Sequence, residues 1–449
     1  MLYAILKLIY RIGLWVFFRR FEVRNRHLLP EQGPLLIVAN HPNTFMDPIA
    51  IASLLRQQVY FIAKSTVFNS LFKKWLLQRM NLIPIHRRED APDQPINNEE
   101  TFRASNQALA TGKTLLIFPE GNSFNERRLR KLKTGAARMA LSAADAGLAA
   151  NLKLLPVGLN YSAPTRFRSD VFVNVGQPIE VAGFLERYRQ DGVRTVTELT
   201  EQMRAQLEDL IVVTPTDEED ELVRQIESVY KDRLAAHTPV TPSSQGQDFL
   251  LTKAIAKSLA HFISTQPHRV TRLQEKLRSY DRLLQDLGLS HVTAEQKSNS
   301  LSWWGVRTTL FLVAGFPVYL YGLLNNYLPY VLPARVANAL TEEEEFLAPI
   351  MLSVGIFSFP LCYTLQAVLF WQLLPEPASL LLYLLSLPPA GFFTLQYWNM
   401  LLHARGRWRL LRLSLSKDSM ANQLRLQRQE ILDELDQARL DYLQQQANA

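Results

Sequence analysis

Between Leu35 and about Ile179, short apolar runs bounded by glycine, proline and polar clusters alternate with stretches in which apolar positions recur at helical spacing. The runs Leu35–Ala39, Val59–Ala63, Leu82–Ile85, Thr114–Phe118, Leu154–Leu159 and Val171–Val175 are too short for helices and read as buried strands. Helical patterns fall between several of them, at Pro48–Arg56, Phe68–Gln78, Glu99–Ala110 and Gly135–Ala146. Strands separated by helices of this length build βαβ units. The expected fold class is therefore α/β, a mixed sheet covered by helices, in one domain over residues 25–213.

The flanks follow other patterns. Residues 1–24 predict a membrane-associated helix, apolar almost all round, with Lys7 and Arg11 one turn apart and Arg19-Arg20 at its end. Its basic stripe, with Trp15, Phe17 and Phe18 nearby, suits a helix lying in the headgroup layer with the bases on lipid phosphates; a short spanning helix is the alternative. The charge inside the apolar stretch and the lack of a small-residue cleavage site argue against a signal peptide. Thr195 to Val212 is an amphipathic helix with Leu199, Met203, Leu207 and Leu210 inward. Thr216-Asp217-Glu218-Glu219 has capping-box form and opens a helical region, 214–302, with a Pro/Ser/Thr-rich linker near 238–247. Its acidic run reads as a solvated helix start rather than a metal site.

Three uncharged tracts make residues 303–402 a membrane segment: Thr308–Asn325, Phe346–Leu374 and Ala378–Leu402. The last two are long enough to span a bilayer and are joined by Pro375-Glu376-Pro377, so 346–402 predicts a hairpin. The first is shorter and holds Pro317, which predicts a re-entrant or interfacial helix at 308–325. Residues 403–449 follow as a basic segment, rich in arginine from His403 to Arg412 and expected to stay cytoplasmic, and a charged helix over Leu424–Gln444 that packs on its own protein.

Lys and Arg number 49 against 42 Asp and Glu, a formal net charge of +7. That excess suits anionic lipid or phosphorylated substrates; because the basic clusters border apolar tracts, nucleic acid is not expected as a partner. The single cysteine, Cys362, excludes an intrachain disulfide framework and agrees with a reducing compartment or a membrane-buried thiol.

Candidate chemistry collects at the ends of predicted strands. His41 follows Leu35–Ala39 and Asp47 comes soon after, the minimum equipment for a general base whose tautomer is fixed by a carboxylate. Lys64 ends the second strand, Arg87 and Arg88 follow the third, and Phe118-Pro119-Glu120-Gly121 ends the fourth. A single sheet aims all of these into one crevice at its carboxyl edge. A histidine beside lysine and arginine suits a phosphorylated alcohol, with cations holding the phosphate while the imidazole takes the hydroxyl proton.

Over roughly Leu35 to Ile179 the chain resembles the PlsC-like glycerolipid acyltransferases, which include glycerol-3-phosphate and 1-acylglycerol-3-phosphate acyltransferases. Asn40-His41 through Asp47 is similar to the family's His/Asp block, Asn81–Arg87 to the second, Phe118-Pro119-Glu120-Gly121 to the third and Leu155-Pro156-Val157-Gly158 to the fourth. Lys64 matches the lysine between the first two, and Lys133 lies in a Lys-x-Gly-Ala stretch, Lys133-Thr134-Gly135-Ala136. Two departures stand out. Five residues separate His41 from Asp47 where the family usually has four, so their contact requires the turn at Pro42 to lie outside the following helix. Fungal glycerol-3-phosphate acyltransferases are similar in this spacing. Asn122-Ser123 replaces the usual Thr-Arg after the third block, leaving Arg127, Arg128 or Arg130 to supply the cation.

The resemblance implies direct acyl transfer, with His41 and Asp47 catalytic and with Lys64, Arg87, Arg88, Glu120, Gly121 and Lys133 binding substrate. It implies no metal and no cofactor beyond a thioester co-substrate, acyl-CoA or acyl-carrier protein. The acceptor is glycerol 3-phosphate or, as runner-up, 1-acylglycerol 3-phosphate. The partners are a phospholipid membrane and the two substrates. The expected location is the inner (cytoplasmic) membrane, or the endoplasmic reticulum membrane in a eukaryote, with the catalytic domain facing the cytoplasm. A non-catalytic lipid-binding membrane protein that keeps the fold is the other reading.

Overall fold

The computed structural model describes residues 2–87, 89, 98–149, 151–237, 246–291, 301–415 and 419–448; Arg88 and most of the 238–247 linker lie outside them. The backbone divides into two compact units, Met1–Pro215 with Ser243–Phe249 and Pro333–Ile356, and Thr216–Pro242 with Leu250–Leu332 and Phe357–Ala449.

The first unit opens with helix α1 (Leu2–Phe17) and strand β1 (Arg20–Arg24). There follow β2 (Leu35–Ala39), α2 (Met46–Leu54), β3 (Val59–Lys64), α3 (Leu71–Arg79), β4 (Leu82–Ile85), α4 (Glu99–Ala110), β5 (Thr114–Ile117) and α5 (Gly135–Asp145). The remainder is β6 (Lys153–Tyr161), β7 (Asp170–Val175), β8 (Ile179–Glu180), α6 (Leu185–Gln190) and α7 (Gly192–Leu210). The strands form one mixed sheet of order β1-β7-β6-β2-β5-β3-β4, with β8 beside β6. β6 runs parallel to β2, and β2, β5, β3 and β4 are mutually parallel along the sheet, while β7 and β8 run antiparallel to β6. All six expected strands are present, with ends shifted by a residue or two.

β1 lies in the span expected to be the N-terminal helix. Its sequence, Arg-Phe-Glu-Val-Arg, carries charge on alternate positions and fits a half-exposed edge strand, paired with β7.

Side chains of β2 alternate between two cores because strand residues point to opposite faces. Leu36 and Val38 pack with Leu115, Ile117 and the inward faces of α5 and α7. Leu35, Ile37 and Ala39 pack with Met46, Ile51, Leu155 and Val157, under Leu14, Phe17 and Phe18 of the N-terminal segment. Each of these five β2 side chains is fully buried, worth roughly 1.5–3 kcal/mol for the larger ones. Double-sided burial of the central strand fixes its register and therefore the position of whatever follows it.

In the second unit, α8 (Asp217–His237) starts as the capping box predicts, with the backbone N–H of Glu219 donating to the Thr216 hydroxyl at 3.2 Å. α9 (Gln247–Thr265) and α10 (Pro267–Leu287) follow. The charged C-terminal helix α14 (Ser419–Asn448) packs on this bundle through Lys276–Glu434 and Arg269–Asp441, both at 2.7 Å, and Tyr230–Asp436 at 2.8 Å. α11 (Leu301–Leu340), α12 (Glu344–Leu373) and α13 (Pro377–Leu415) contain three stretches long and apolar enough to cross a membrane: Gly305–Leu340, Glu344–Leu373 and Pro377–Arg409. The tract expected to be short, Thr308–Asn325, is thus part of a 40-residue helix that continues through Pro317. Proline is tolerated inside such helices because neighbouring groups satisfy the freed carbonyl. The basic stretch from His403 to Arg412 continues α13.

Candidate active site

Because β2, β5, β3 and β4 are parallel, their carboxyl ends meet on one edge of the sheet, and His41, Phe118–Gly121, Lys64 and Arg87 come together there. The first residue beyond β2 is anchored before the chemistry begins. Asn40 pairs its side-chain amide with the backbone of β6, donating to the Leu159 carbonyl at 2.9 Å and accepting the Leu159 N–H at 2.7 Å.

The chain then turns at Pro42–Phe45, with Thr44 at φ +35°, and α2 starts only at Met46. The five residues between His41 and Asp47 are therefore mostly turn, and the side chains meet: His41 Nδ1 lies 2.9 Å from Asp47 Oδ2. Asp47 is completely buried. Its Oδ2 also accepts the Asn43 N–H at 2.8 Å, and its Oδ1 accepts the Tyr161 hydroxyl at 2.7 Å. Burial pushes the Tyr161 hydroxyl well up, and the neighbouring Asp47 charge adds to this, so the phenol stays a neutral donor. With Nδ1–H donating to the carboxylate, Nε2 is the nitrogen left to accept a substrate proton. The imidazole stacks on Phe118, ring centroids 3.9 Å apart and 10° from parallel, which fixes its plane.

Glu120 holds this edge together. One carboxylate oxygen accepts the His41 N–H at 2.9 Å and the other the Arg130 N–H at 3.0 Å, so the loop after β2 is tied to the loop after β5. Burial pushes its carboxyl up, opposed by the two N–H donors. A second tie runs from the Thr44 N–H to the Ser123 hydroxyl at 2.8 Å, and the Thr44 hydroxyl donates to the Glu345 carbonyl at 2.9 Å. Gly121 has φ +83°, and a Cβ there would sit 2.6 Å from Lys133 Nζ.

A cavity of about 580 Å³ opens beside the imidazole. Its wall is mainly apolar, built from α1, α2, β3 and the end of α3, with His41, Lys64, Arg87, Gly121 and Lys133 at its polar part. Arg87 donates to the Gly121 carbonyl and, at 2.6 Å, to Asn122 Oδ1. Lys133 Nζ is paired with Glu89 at 2.7 Å. Glu120 does not line the cavity; it orders the loops behind it.

Arg127, Arg128 and Arg130, expected to replace the cation missing after the third block, do not line the cavity. Arg128 and Arg130 instead pair with Glu126 at 2.6 and 2.8 Å, and the Arg130 guanidinium covers the Phe124 ring. Besides Lys64, Arg87 and Lys133, two cations of α1 reach the wall. Lys7 and Arg11 line the cavity, and Lys7 Nζ donates to the carbonyls of Leu55 and Gln57 just past the end of α2. Packing of α1 against α2 turns Lys7 toward the negative end of a helix dipole, while Arg11 lines the cavity and stays exposed.

The roles of Asn40, Tyr161 and Phe118 emerge only from the fold. Tyr161 carries no local signal, because its partner Asp47 is distant in sequence; only the β2–β6 pairing unites them.

The Acyltransferase family model matches residues 20–160. An uncharacterized acyltransferase of Schizosaccharomyces pombe is 22% identical over 63% of this chain and 54% of its own. Glycerol-3-phosphate O-acyltransferase 1 of Saccharomyces cerevisiae is 28% identical over 42% of this chain and 25% of its own. A chloroplastic 1-acyl-sn-glycerol-3-phosphate acyltransferase of Brassica napus is 26% identical over 39% and 49%. The chain thus spans about half or less of the length of these relatives. Residues 20–160 thus match an acyltransferase domain, and the relatives to which the chain is similar include proteins named glycerol-3-phosphate and 1-acyl-sn-glycerol-3-phosphate acyltransferases.

Proposed function

We propose that this protein is a membrane-bound O-acyltransferase that moves a fatty acyl group from a thioester to a hydroxyl of glycerol 3-phosphate or 1-acylglycerol 3-phosphate, in phospholipid synthesis. The observation that carries the reading is the 2.9 Å contact between His41 Nδ1 and the buried Asp47, on the wall of a largely apolar cavity. Names of relatives support both acceptors, and the His41–Asp47 spacing, similar to that of fungal glycerol-3-phosphate acyltransferases, favours glycerol 3-phosphate.

In this mechanism His41 Nε2 takes the proton of the acceptor hydroxyl as its oxygen attacks the thioester carbonyl. Asp47 holds the ring and stabilises the imidazolium that forms. The tetrahedral intermediate collapses, the C–S bond breaks, and the imidazolium returns its proton to the departing thiolate, giving ester and free thiol. No acyl-enzyme is formed. Lys64, Arg87 and Lys133 provide positive charge for the acceptor phosphate at the polar part of the cavity, and Arg88 is a further candidate. Gly121 lets the backbone approach the substrate, and the apolar wall takes the acyl chain. The three apolar helices anchor the chain in a cytoplasm-facing orientation, in the inner membrane or the endoplasmic reticulum.

The test is direct. Purified protein is offered glycerol 3-phosphate, dihydroxyacetone phosphate and lysophosphatidic acid, each with acyl-CoA and with acyl-carrier protein, and products are identified by mass. An ester of a phosphorylated acceptor is expected; lipid binding without any ester formed supports the non-catalytic reading instead.

A further inference from the structure

α3 carries an arrangement that packing within the protein does not explain. In this nine-residue helix, Leu71-Phe72-Lys73-Lys74-Trp75-Leu76-Leu77-Gln78-Arg79, the three largest exposed apolar side chains share one side of the first turns. Leu71 is 89% exposed, Phe72 68% and Trp75 50%. The Phe72 and Trp75 rings stack at 6.2 Å, and the Arg79 guanidinium sits 5.3 Å from the Trp75 ring. Lys73 and Lys74 are exposed outside this cluster, toward its two flanks, and the helix holds no acidic residue. The following face points the other way: Leu77, with Met80 just beyond the helix, lines the cavity beside His41.

We propose that α3 is a bilayer-contacting helix: Leu71, Phe72 and Trp75 insert into the headgroup layer of an anionic membrane, Lys73, Lys74 and Arg79 meet the lipid phosphates, and the cavity wall made by Leu77 and Met80 is thereby held at the lipid surface. Apolar side chains this exposed in a cluster mark a docking surface. The mixture identifies the partner. Tryptophan with flanking lysine and arginine is the composition of a membrane interface, where rings take the boundary region and long basic chains reach the phosphates. An acidic protein would be met by the cations but would gain little from a leucine and two aromatic rings turned to solvent.

α1 adds a second contact on the same cavity, with Tyr3, Leu6 and Tyr10 lining it while Ile5, Leu8, Ile12 and Trp15 are exposed. The inference rests on the acyl-transfer reading only for its purpose, the delivery of acyl chains from lipid; the contact itself is measurable without activity.

The experiment uses the full chain in nanodiscs of phosphatidylcholine and phosphatidylglycerol. Phe72→Cys in a Cys362→Ala background is labelled with an environment-sensitive fluorophore, and Glu186→Cys in the same background serves as a solvent-exposed reference. The expected result is strong quenching of the position-72 label by lipids brominated near the headgroup end of the acyl chain, with at least about fivefold less quenching by aqueous iodide than at position 186. Adding Lys73→Glu and Lys74→Glu should reduce the bromolipid quenching about twofold or more. Iodide access equal to the reference overturns the proposal. So does protection that arises only when an acidic carrier protein is added. Because the readout is depth, it stands or falls separately from acyl transfer.

Discussion

Replacing Asp47 by asparagine removes one charge from the site while leaving its volume intact, and the consequences can be worked through atom by atom. The carboxylate accepts three hydrogen bonds, from Tyr161 at 2.7 Å, Asn43 N–H at 2.8 Å and His41 Nδ1 at 2.9 Å. The amide has one oxygen and one NH2 group, so one side of the arrangement loses its acceptor. If the NH2 faces His41, it opposes the Asn43 N–H and forces the proton of the imidazole onto Nε2, which can then no longer act as base; the same tautomer error costs about 10⁴ in kcat in a serine-protease triad. If the oxygen faces His41, the tautomer survives but the imidazolium loses a carboxylate about 4 Å away, worth about 4 kcal/mol at an effective dielectric near 20, or about 10³ in rate. Either route predicts that Asp47→Asn lowers kcat by about 10³ to 10⁴ with the acceptor KM changed less than about threefold, and costs roughly 1–3 kcal/mol of stability for the mismatched donor. Product formation followed by mass, beside thermal unfolding of the same preparation, separates the two effects. A folded Asp47→Asn protein with kcat within about tenfold of wild type would refute the reasoning.

Tyr161→Phe leaves Asp47 Oδ1 without its donor in a buried site; stability should fall by roughly 1–3 kcal/mol and kcat by about tenfold, with a displaced pH–rate profile and an unchanged acceptor KM, all readable from steady-state kinetics across pH. Gly121→Ala places a methyl on Lys133 Nζ at a backbone angle that L-residues disfavour by about 1–2 kcal/mol, and should raise the KM for the phosphorylated acceptor more than that for the thioester. Burial pushes the Asp170 carboxyl up, but hydrogen bonds from Arg19 and Arg20 outweigh this and hold it down to about 2, against an ordinary value of 3.8. A depressed carboxyl stabilises the fold above its unfolded pKa, so this contribution, about 1 kcal/mol once solvent screening is allowed for, is lost as pH falls from 3.8 through about 2. Asp170→Asn should flatten the acid limb of an unfolding titration over that window.

The centre of the parallel part of the sheet was legible because β2 and β5 are buried on both faces and appear as short apolar runs, ended by Asn40 and by Pro119. Chemistry at their carboxyl ends followed from the topology, since parallel neighbours must end on the same edge. β1 was not legible, for an edge strand with alternating charge carries no apolar run, and Arg19-Arg20 resembles the end of a membrane helix. The continuity of α11 was hidden by Pro317, a local rule that helix neighbours override. Placement of the cations was harder still. Lys7 reaches the cavity because α1 packs against α2, whereas Arg128 and Arg130 are held away from it by Glu126. Long side chains are directed by tertiary partners that sequence spacing does not reveal, and Tyr161 shows the same dependence on strand pairing.

The central claim is that His41 is the general base of a direct acyl transfer. The measurement that meets it most squarely is turnover by His41→Ala in the reconstituted chain, followed by mass with the preferred acceptor and donor. The account predicts a loss of at least about 10³ in kcat, with membrane association and folding retained. Turnover near the wild-type rate in that variant, or a stable acyl-enzyme detected on the wild-type chain, would contradict it.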